Sequence, residues 1–416
     1  MPTALPALLR RLAGPKQRRR HLYQSSRGEF LETRVLPAAV ATVSRATLNI
    51  TGDAEAASNL RITQSPAGVR VEALAGSQIS VGGVLQTDVT FPSVTSMNVR
   101  LSEGDDSVAL SGAINLKNVS IDLGDGDNIL DTGAGLNVTG KFTINGGSGL
   151  DQVTLNGAVS KGATVNLGLG NDELTIHGGS FSAAVNLNTG VGADIVTIDT
   201  NAAFNNNLSV TTGEDNDSVS ISNSTTKKLT INTGDDDDGV TLDTVTVNGL
   251  MSVNTSAGAD DLSLLGVNVT ANGTNSLNVG TGADDVVIER GVFAGTLNID
   301  LGTGIVNTLK IDDTDFQNNF SLVANGSVDS TTGLGDAINV ETDTALGGTT
   351  TFRKTAKLKV GAAADIHIGL VNVASQTNFL GAVSISGINP HARLSLAAAT
   401  NVSFVSPAVL TKVDLL

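Results

Sequence analysis

An aspartate returns about every 22 residues through the middle of this 416-residue chain, each just after a glycine-rich turn and two residues before an apolar side chain. The positions are Asp106, Asp127, Asp151, Asp172, Asp194, Asp217, Asp238, Asp260 and Asp284, with Asn307 in the tenth place, at intervals of 21 to 24 residues. Carboxylates brought into line by a repeat point first to cation binding. Hard oxygen ligands, joined by carbonyls that glycine turns leave free, are the donor set of calcium. A stacked column also creates the need for a cation, because like charges about 4.8 Å apart repel by about 1 kcal/mol in water and by more at a partly dry edge. The competing reading is that Asp and Asn make good turns and keep their side chains solvated and screened. On the first reading Asp127, Asp151, Asp172, Asp194, Asp217, Asp238, Asp260 and Asp284 are candidate metal ligands.

Catalysis finds no comparable constellation. A regular aspartate repeat meets the carboxylate requirement of a glycoside hydrolase in every coil, and so marks none of them. His177, Arg290 and Lys310 each stand alone in the sequence. The chain has no G-x-S-x-G elbow, Walker loop or H-E-x-x-H pair. Tyr23 is the single tyrosine and tryptophan is absent, so a platform for stacking sugars is not expected either. No catalytic residue and no organic cofactor site is assigned.

The elements that must position the aspartates are short strands. Counting each repeat Asp or Asn as position zero, position +2 is apolar in all ten copies and position +4 in nine, failing only at Asp131. That alternation is a strand with one buried face. A second apolar-x-apolar pair precedes each turn, as in Phe142-Thr143-Ile144, Val165-Asn166-Leu167 and Leu229-Thr230-Ile231. A repeat this short cannot bury a core alone and must stack on its neighbours. The predicted fold is all-β: a single-stranded parallel β-helix, or solenoid, of about 22 residues per coil with degenerate C-terminal coils. Residues 40–416 would make roughly 15 to 17 coils and a rod roughly 75 Å long.

Divided by pattern, residues 1–40 form a basic segment, 41–100 the first coils and a cap, 101–320 the regular repeats, and 321–416 degenerate coils with a C-terminal cap. In the last part Asp336 and Asp365 look like later copies, followed by Ile338 and His367 at position +2. The core must be built from Val, Leu, Ile and Ala, since aromatic residues are only 3%. No run of eighteen apolar residues exists, so no membrane-spanning helix is expected. With no cysteine, disulfides and thiolate metal sites are excluded. The formal charge of −16 conceals an asymmetry: residues 1–34 hold eight Lys and Arg against two Glu, leaving 17 bases and 39 acids, or −22, for the rest. Such a body repels nucleic acid and attracts cations.

Two resemblances add to this reading. The turns Gly147-Ser-Gly-Leu-Asp151, Gly168-Leu-Gly-Asn-Asp172, Gly190-Val-Gly-Ala-Asp194 and Gly280-Thr-Gly-Ala-Asp284 resemble the glycine-rich nonapeptide of hemolysin-type (RTX) proteins, which binds calcium between stacked turns. The resemblance implies calcium as ligand. This chain departs from the family by having one motif per 22-residue coil instead of two per 18, and by losing most of the leading Gly-Gly. The stretch Phe30-Leu31-Glu32-Thr33-Arg34-Val35-Leu36-Pro37-Ala38-Ala39, behind its basic residues, resembles the LEPR-type N-terminal segment of planctomycete extracellular proteins. That implies export to the surface or outside of a bacterial cell. The functional expectation is an exported, acidic structural and interaction protein of the cell surface or matrix, with calcium ions and extracellular polymers as partners. The alternatives are a β-helix polysaccharide lyase, hydrolase or carbohydrate-binding passenger, and an inert spacer solenoid.

Overall fold

Period-2 alternation carried over short segments, with glycine or asparagine between them, produces short strands that each bury one face. The computed structural model describes residues 39–53, 57–331, 334–342, 348–369, 375–388, 392–396 and 402–416. The basic N-terminal segment falls, up to residue 38, outside the described residues. All described elements of regular structure are strands, and the chain is a parallel β-solenoid of about 13 turns with about 23 residues per turn.

A typical coil has three strands. Asp151–Leu155 lies on a first face, Ala158–Val159 on a short second face, and Ala163–Leu169 on a third face that runs into the next glycine turn. Each strand pairs in parallel with its counterpart one coil on, so Val153, Leu174, Val196, Val219, Val240, Leu262, Val286 and Leu309 form one buried row. The interior is filled by such rows. On the second face part of the filling is aromatic: Phe181 stacks on Phe204 with ring centroids 5.0 Å apart, and Phe293, Phe316, Phe352, Phe379 and Phe404 continue as a stack with centroids 4.8 to 5.6 Å apart.

The corner where the third face returns to the first is where glycine is required. Gly168, Gly190, Gly213 and Gly234 stand in register. At Gly213, φ is +126°, and a Cβ would lie 1.6 Å from the carbonyl oxygen of Gly190. Only a residue without Cβ can pass its backbone so close to the coil below.

The expected 15 to 17 coils overcount. Much of residues 39–91 is used in antiparallel hairpins, Ala39–Ser44 with Thr47–Gly52, Asn59–Ser65 with Gly68–Ala73, and Ile79–Val81 with Val84–Gln86. The late coils are also longer, since Ala337 pairs with Asp365 and Asp365 with Arg393, steps of 28 residues. At about 4.8 Å per coil the rod is about 60 Å long.

Two register assignments are corrected. In the second regular coil Asn128, not Asp127, occupies the repeat position: Asn128 is fully buried and Leu130 behind it faces the core, while Asp127 is exposed and Ile129 is half exposed. In the late coil Ala364 holds the position, and Asp365 lies one residue beyond it, ion-paired to Arg393. In both coils the buried apolar residue two positions on, Leu130 or Ile366, sets the frame, and not the carboxylate.

Candidate functional site

The repeat aspartates do not line a solvated edge. Asp106, Asp151, Asp172, Asp194, Asp217, Asp238, Asp260, Asp284 and Asp336 are each at most 4% exposed, and with Asn128 and Asn307 they form one internal column. Position zero shares its side of the strand with the buried apolar residues at +2 and +4, so the carboxylate enters the core beneath the glycine turn. The reading of these residues as solvated turn punctuation is therefore overturned.

Most links in the column are hydrogen bonds from backbone to side chain, and that from Asn128 to Asp151 runs from Nδ2 to Oδ1. The N–H of Asp151 donates to Oδ1 of Asp172 (2.8 Å), that of Asp172 to Asp194 (2.7 Å), that of Asp194 to Asp217 (2.8 Å), that of Asp217 to Asp238 (2.8 Å) and that of Asp238 to Asp260 (2.9 Å). Asp260 continues to Asp284 at 3.1 Å, Asp284 to Asn307 at 3.0 Å, and Asn307 to Asp336 at 3.1 Å. Every Oδ1 thus binds two coils together.

The second carboxylate oxygens differ from coil to coil. Oδ2 of Asp151 accepts from the N–H of Gly147 (3.2 Å), that of Asp336 from the N–H of Gly326 (3.0 Å), and that of Asp260 from the hydroxyl of Thr255 (2.7 Å). Oδ2 of Asp172, Asp194, Asp217, Asp238 and Asp284 is buried with no aligned donor. Thr189, Thr212 and Thr233 lie close enough to Asp194, Asp217 and Asp238 to ease their ionisation. The hydroxyls of Thr189 and Thr212, however, donate to the carbonyls of Thr212 (3.4 Å) and Thr233 (3.1 Å).

Asn128 shows what faces these oxygens. Its Nδ2 donates to the carbonyls of Gly126 (3.0 Å) and Gly124 (3.3 Å) in its own turn and to Oδ1 of Asp151 in the next coil (2.8 Å). Three oxygens therefore converge on Nδ2 of Asn128. In the coils of Asp172, Asp194, Asp217, Asp238 and Asp284, where Oδ2 has no donor, an ionised carboxylate calls for either a proton or a cation.

Burial accordingly raises the carboxyls of Asp106, Asp151 and Asp284 from 3.8 to about 6, and those of Asp172, Asp217 and Asp260 to about 7. Asp194, Asp238 and Asp336 are raised for the same reason. Hydrogen bonds from the neighbouring coil pull each back in part, and the charges of Asp151 and Asp194 add to the rise at Asp172.

Of the eight candidate ligands, seven stand in this column and Asp127 does not; its Oδ1 instead accepts the N–H of Leu150 at the surface (2.9 Å). Among the described residues no group of three or more His, Asp or Glu side chains is placed to hold a metal. A cation in the column would rely on two carboxylates and on turn carbonyls. That hard-oxygen set suits calcium in kind.

The threonine row at 189, 212, 233 and 255 was not foreseen, although a Thr precedes the glycine at positions 190, 213 and 234. Two residues read as solitary have partners. Nδ1 of His177 lies 2.7 Å from Oδ1 of Asp199, and Nζ of Lys310 lies 2.8 Å from Glu289 and 3.0 Å from Asp312. The first pair is exposed; Asp199 and Glu289 lie on the coil adjacent to their partners, and Asp312 is two residues beyond Lys310 in the same strand. No protein-family model, no curated protein and no solved structure matches this chain.

Proposed function

We propose that this chain is a structural and interaction protein of the cell surface or extracellular matrix, an exported acidic rod whose internal carboxylate column takes up calcium as it ionises. The observation supporting the calcium reading is the set of five buried Oδ2 atoms with no donor, together with the turn carbonyls that Nδ2 of Asn128 reaches in its own coil. Asp172, Asp194, Asp217, Asp238 and Asp284 would hold the ions, together with the carbonyls of the turns above them. Bound ions would cancel the repulsion along the column and tie each coil to the next, so binding and folding would be one process. Export is supported by the basic segment and its LEPR-type sequence at residues 30–39.

A second reading is favoured by the raised pKa values and by the lack of a three-acid cluster among the described residues: the column is filled by protons, and the solenoid is a spacer that needs no metal. Calorimetric titration with calcium at pH 8, joined to melting in millimolar calcium and in chelator, separates the two. Calcium binding predicts heat of binding and added stability of about 2.7 kcal/mol per site at a hundredfold excess over Kd, fading at pH 5 where protons occupy the oxygens. Identical melting in calcium and in chelator at pH 8 rejects the metal.

A further inference from the structure

The third face has a charge pattern that is complementary to itself. Its strands leave one corner of the cross-section, where Lys117, Lys141, Lys161, Lys227 and Lys228 are exposed, and end at the glycine-turn corner, where Asp125, Asp127, Glu214, Asp215, Asp235 and Asp237 are exposed. Single strands show both poles. Thr225–Gly234 carries Lys227 and Lys228 near one end and leads directly into Asp235, Asp236 and Asp237 at the other. None of these lysines forms an ion pair with a described residue.

Between the corners the middle of the face is uncharged, and Asp122 and Asp300 stand at the two ends of one outward row. In the seven strands from Phe142–Asn145 to Thr274–Asn278 the two central outward rows contain only Ser, Thr and Asn. One row is an asparagine ladder through Asn145, Asn166, Asn188, Asn232, Asn254 and Asn278. In it Nδ2 of Asn254 donates to Asn232 (2.6 Å) and Nδ2 of Asn278 to Asn254 (2.5 Å). Short side chains held by their own neighbours lose little entropy when a second surface covers them.

We infer that this face is the interface of a parallel dimer, in which a second copy of the chain packs face to face with the two-fold axis along the rod. That axis lays the lysine corner of each copy against the acidic corner of the other, at the same coil level for Lys117 with Asp125 and Asp127 and for Lys227 and Lys228 with Asp235, and one coil removed for Glu214. Lys227 and Lys228 then meet Asp235 and Glu214, and the asparagine and hydroxyl rows meet between them. The other in-plane two-fold would set acid against acid. A cationic peptide would leave the lysine corner unused, and a neutral polymer would use neither corner. The nine strands from Asn118–Asp122 to Thr296–Asp300 give a face about 43 Å by 20 Å, or about 800 Å² per copy, which is the size of a stable interface. The interface is isologous, so it closes at two copies. It makes no use of the internal column, and its test is run in chelator so that the fate of the calcium reading does not bear on it.

The test is sedimentation velocity of the full chain at about 150 mM salt. The wild type is expected to sediment as a dimer, and Lys227→Glu with Lys228→Glu to weaken association at least tenfold. Glu214→Lys with Asp235→Lys is expected to do the same, and an equimolar mixture of the two variants to recover a dimer. Thr230→Arg, in the middle of the face, should give a monomer with unchanged melting. A wild type that stays monomeric at about 100 μM, or a dimer that survives both charge reversals and Thr230→Arg, overturns the inference.

Discussion

Replacing Asp217 by Asn should make the protein more stable at pH 8 and leave it nearly unchanged at pH 4. Asn128 and Asn307 show that the amide fits the column and keeps its links: Oδ1 of Asn128 accepts the N–H of Asp106 at 2.9 Å, and its Nδ2 donates to a turn carbonyl, for which a carboxylate has no hydrogen. Asp217 is 4% exposed, and Oδ2 has no donor. Burial raises its carboxyl from 3.8 to about 7, against the pull of Thr212 and the N–H of Asp194. A folded-state pKa above the unfolded one means that the neutral acid is the form the fold favours. Its stability is fully present below about pH 4 and is lost as pH rises through about 7. The full difference corresponds to about 4 kcal/mol, and with water and relaxation between the turns about 1–2 kcal/mol is expected. Urea unfolding of wild type and Asp217→Asn in chelator at pH 4, 6 and 8 measures it. The two should coincide at pH 4 and separate progressively toward pH 8, the variant being the more stable. A variant less stable than wild type at pH 8, with the wild-type pH profile retained, would refute the reasoning, because the fold would then depend on the anion itself.

Phe316, 1% exposed and stacked between Phe293 at 5.6 Å and Phe352 at 4.9 Å, should lose about 4 kcal/mol as Phe316→Ala in urea unfolding; a loss below about 1 kcal/mol would mean that the ring stack carries no load. Gly234→Ala would place Cβ 1.5 Å from the carbonyl of Gly213 at φ +113°, so loss of the cooperative transition by circular dichroism is expected, whereas Gly76→Ala, at φ +80° with no atom within 4 Å, should cost only about 1 kcal/mol.

Much of the architecture was legible because a solenoid's core is one-dimensional: the residues at +2 and +4 of each coil stack on those of the next, so a period in sequence becomes a row in space. The second face was not, since strands as short as Ala158–Val159 and Ser180–Phe181 give no alternation to read. The signal there was the phenylalanine at 181 and 204, and again at 293 and 316, each pair one coil apart. The N-terminal hairpins escaped for a different reason. Strand alternation in Asn59–Ser65 and Gly68–Ala73 looks the same whether the partner is the adjacent strand or the next coil, and only the tight Pro66-Ala67 connection distinguishes them.

The burial of the aspartates pits two rules against each other. Composition says that an aspartate is almost never buried without a partner. Alternation says that position zero lies on the same side as the buried +2 residue. Alternation wins here because Oδ1 is paired, in most coils by a backbone N–H of the coil before. The slip at Asp127 follows from the same geometry. In the regular coils the turn residue that starts each corner stands four residues before the column, as in Gly147 to Asp151, Gly168 to Asp172, Gly213 to Asp217 and Gly234 to Asp238, and four residues after Gly124 is Asn128. The column selects a side chain with an inward acceptor, which Asn supplies as well as Asp. Hydrogen bonding at Oδ1 therefore explains why either residue recurs, but not the excess of Asp over Asn at nine positions to two. A selection for turn stability alone would not prefer a buried acid to an amide that donates to Gly124 and Gly126.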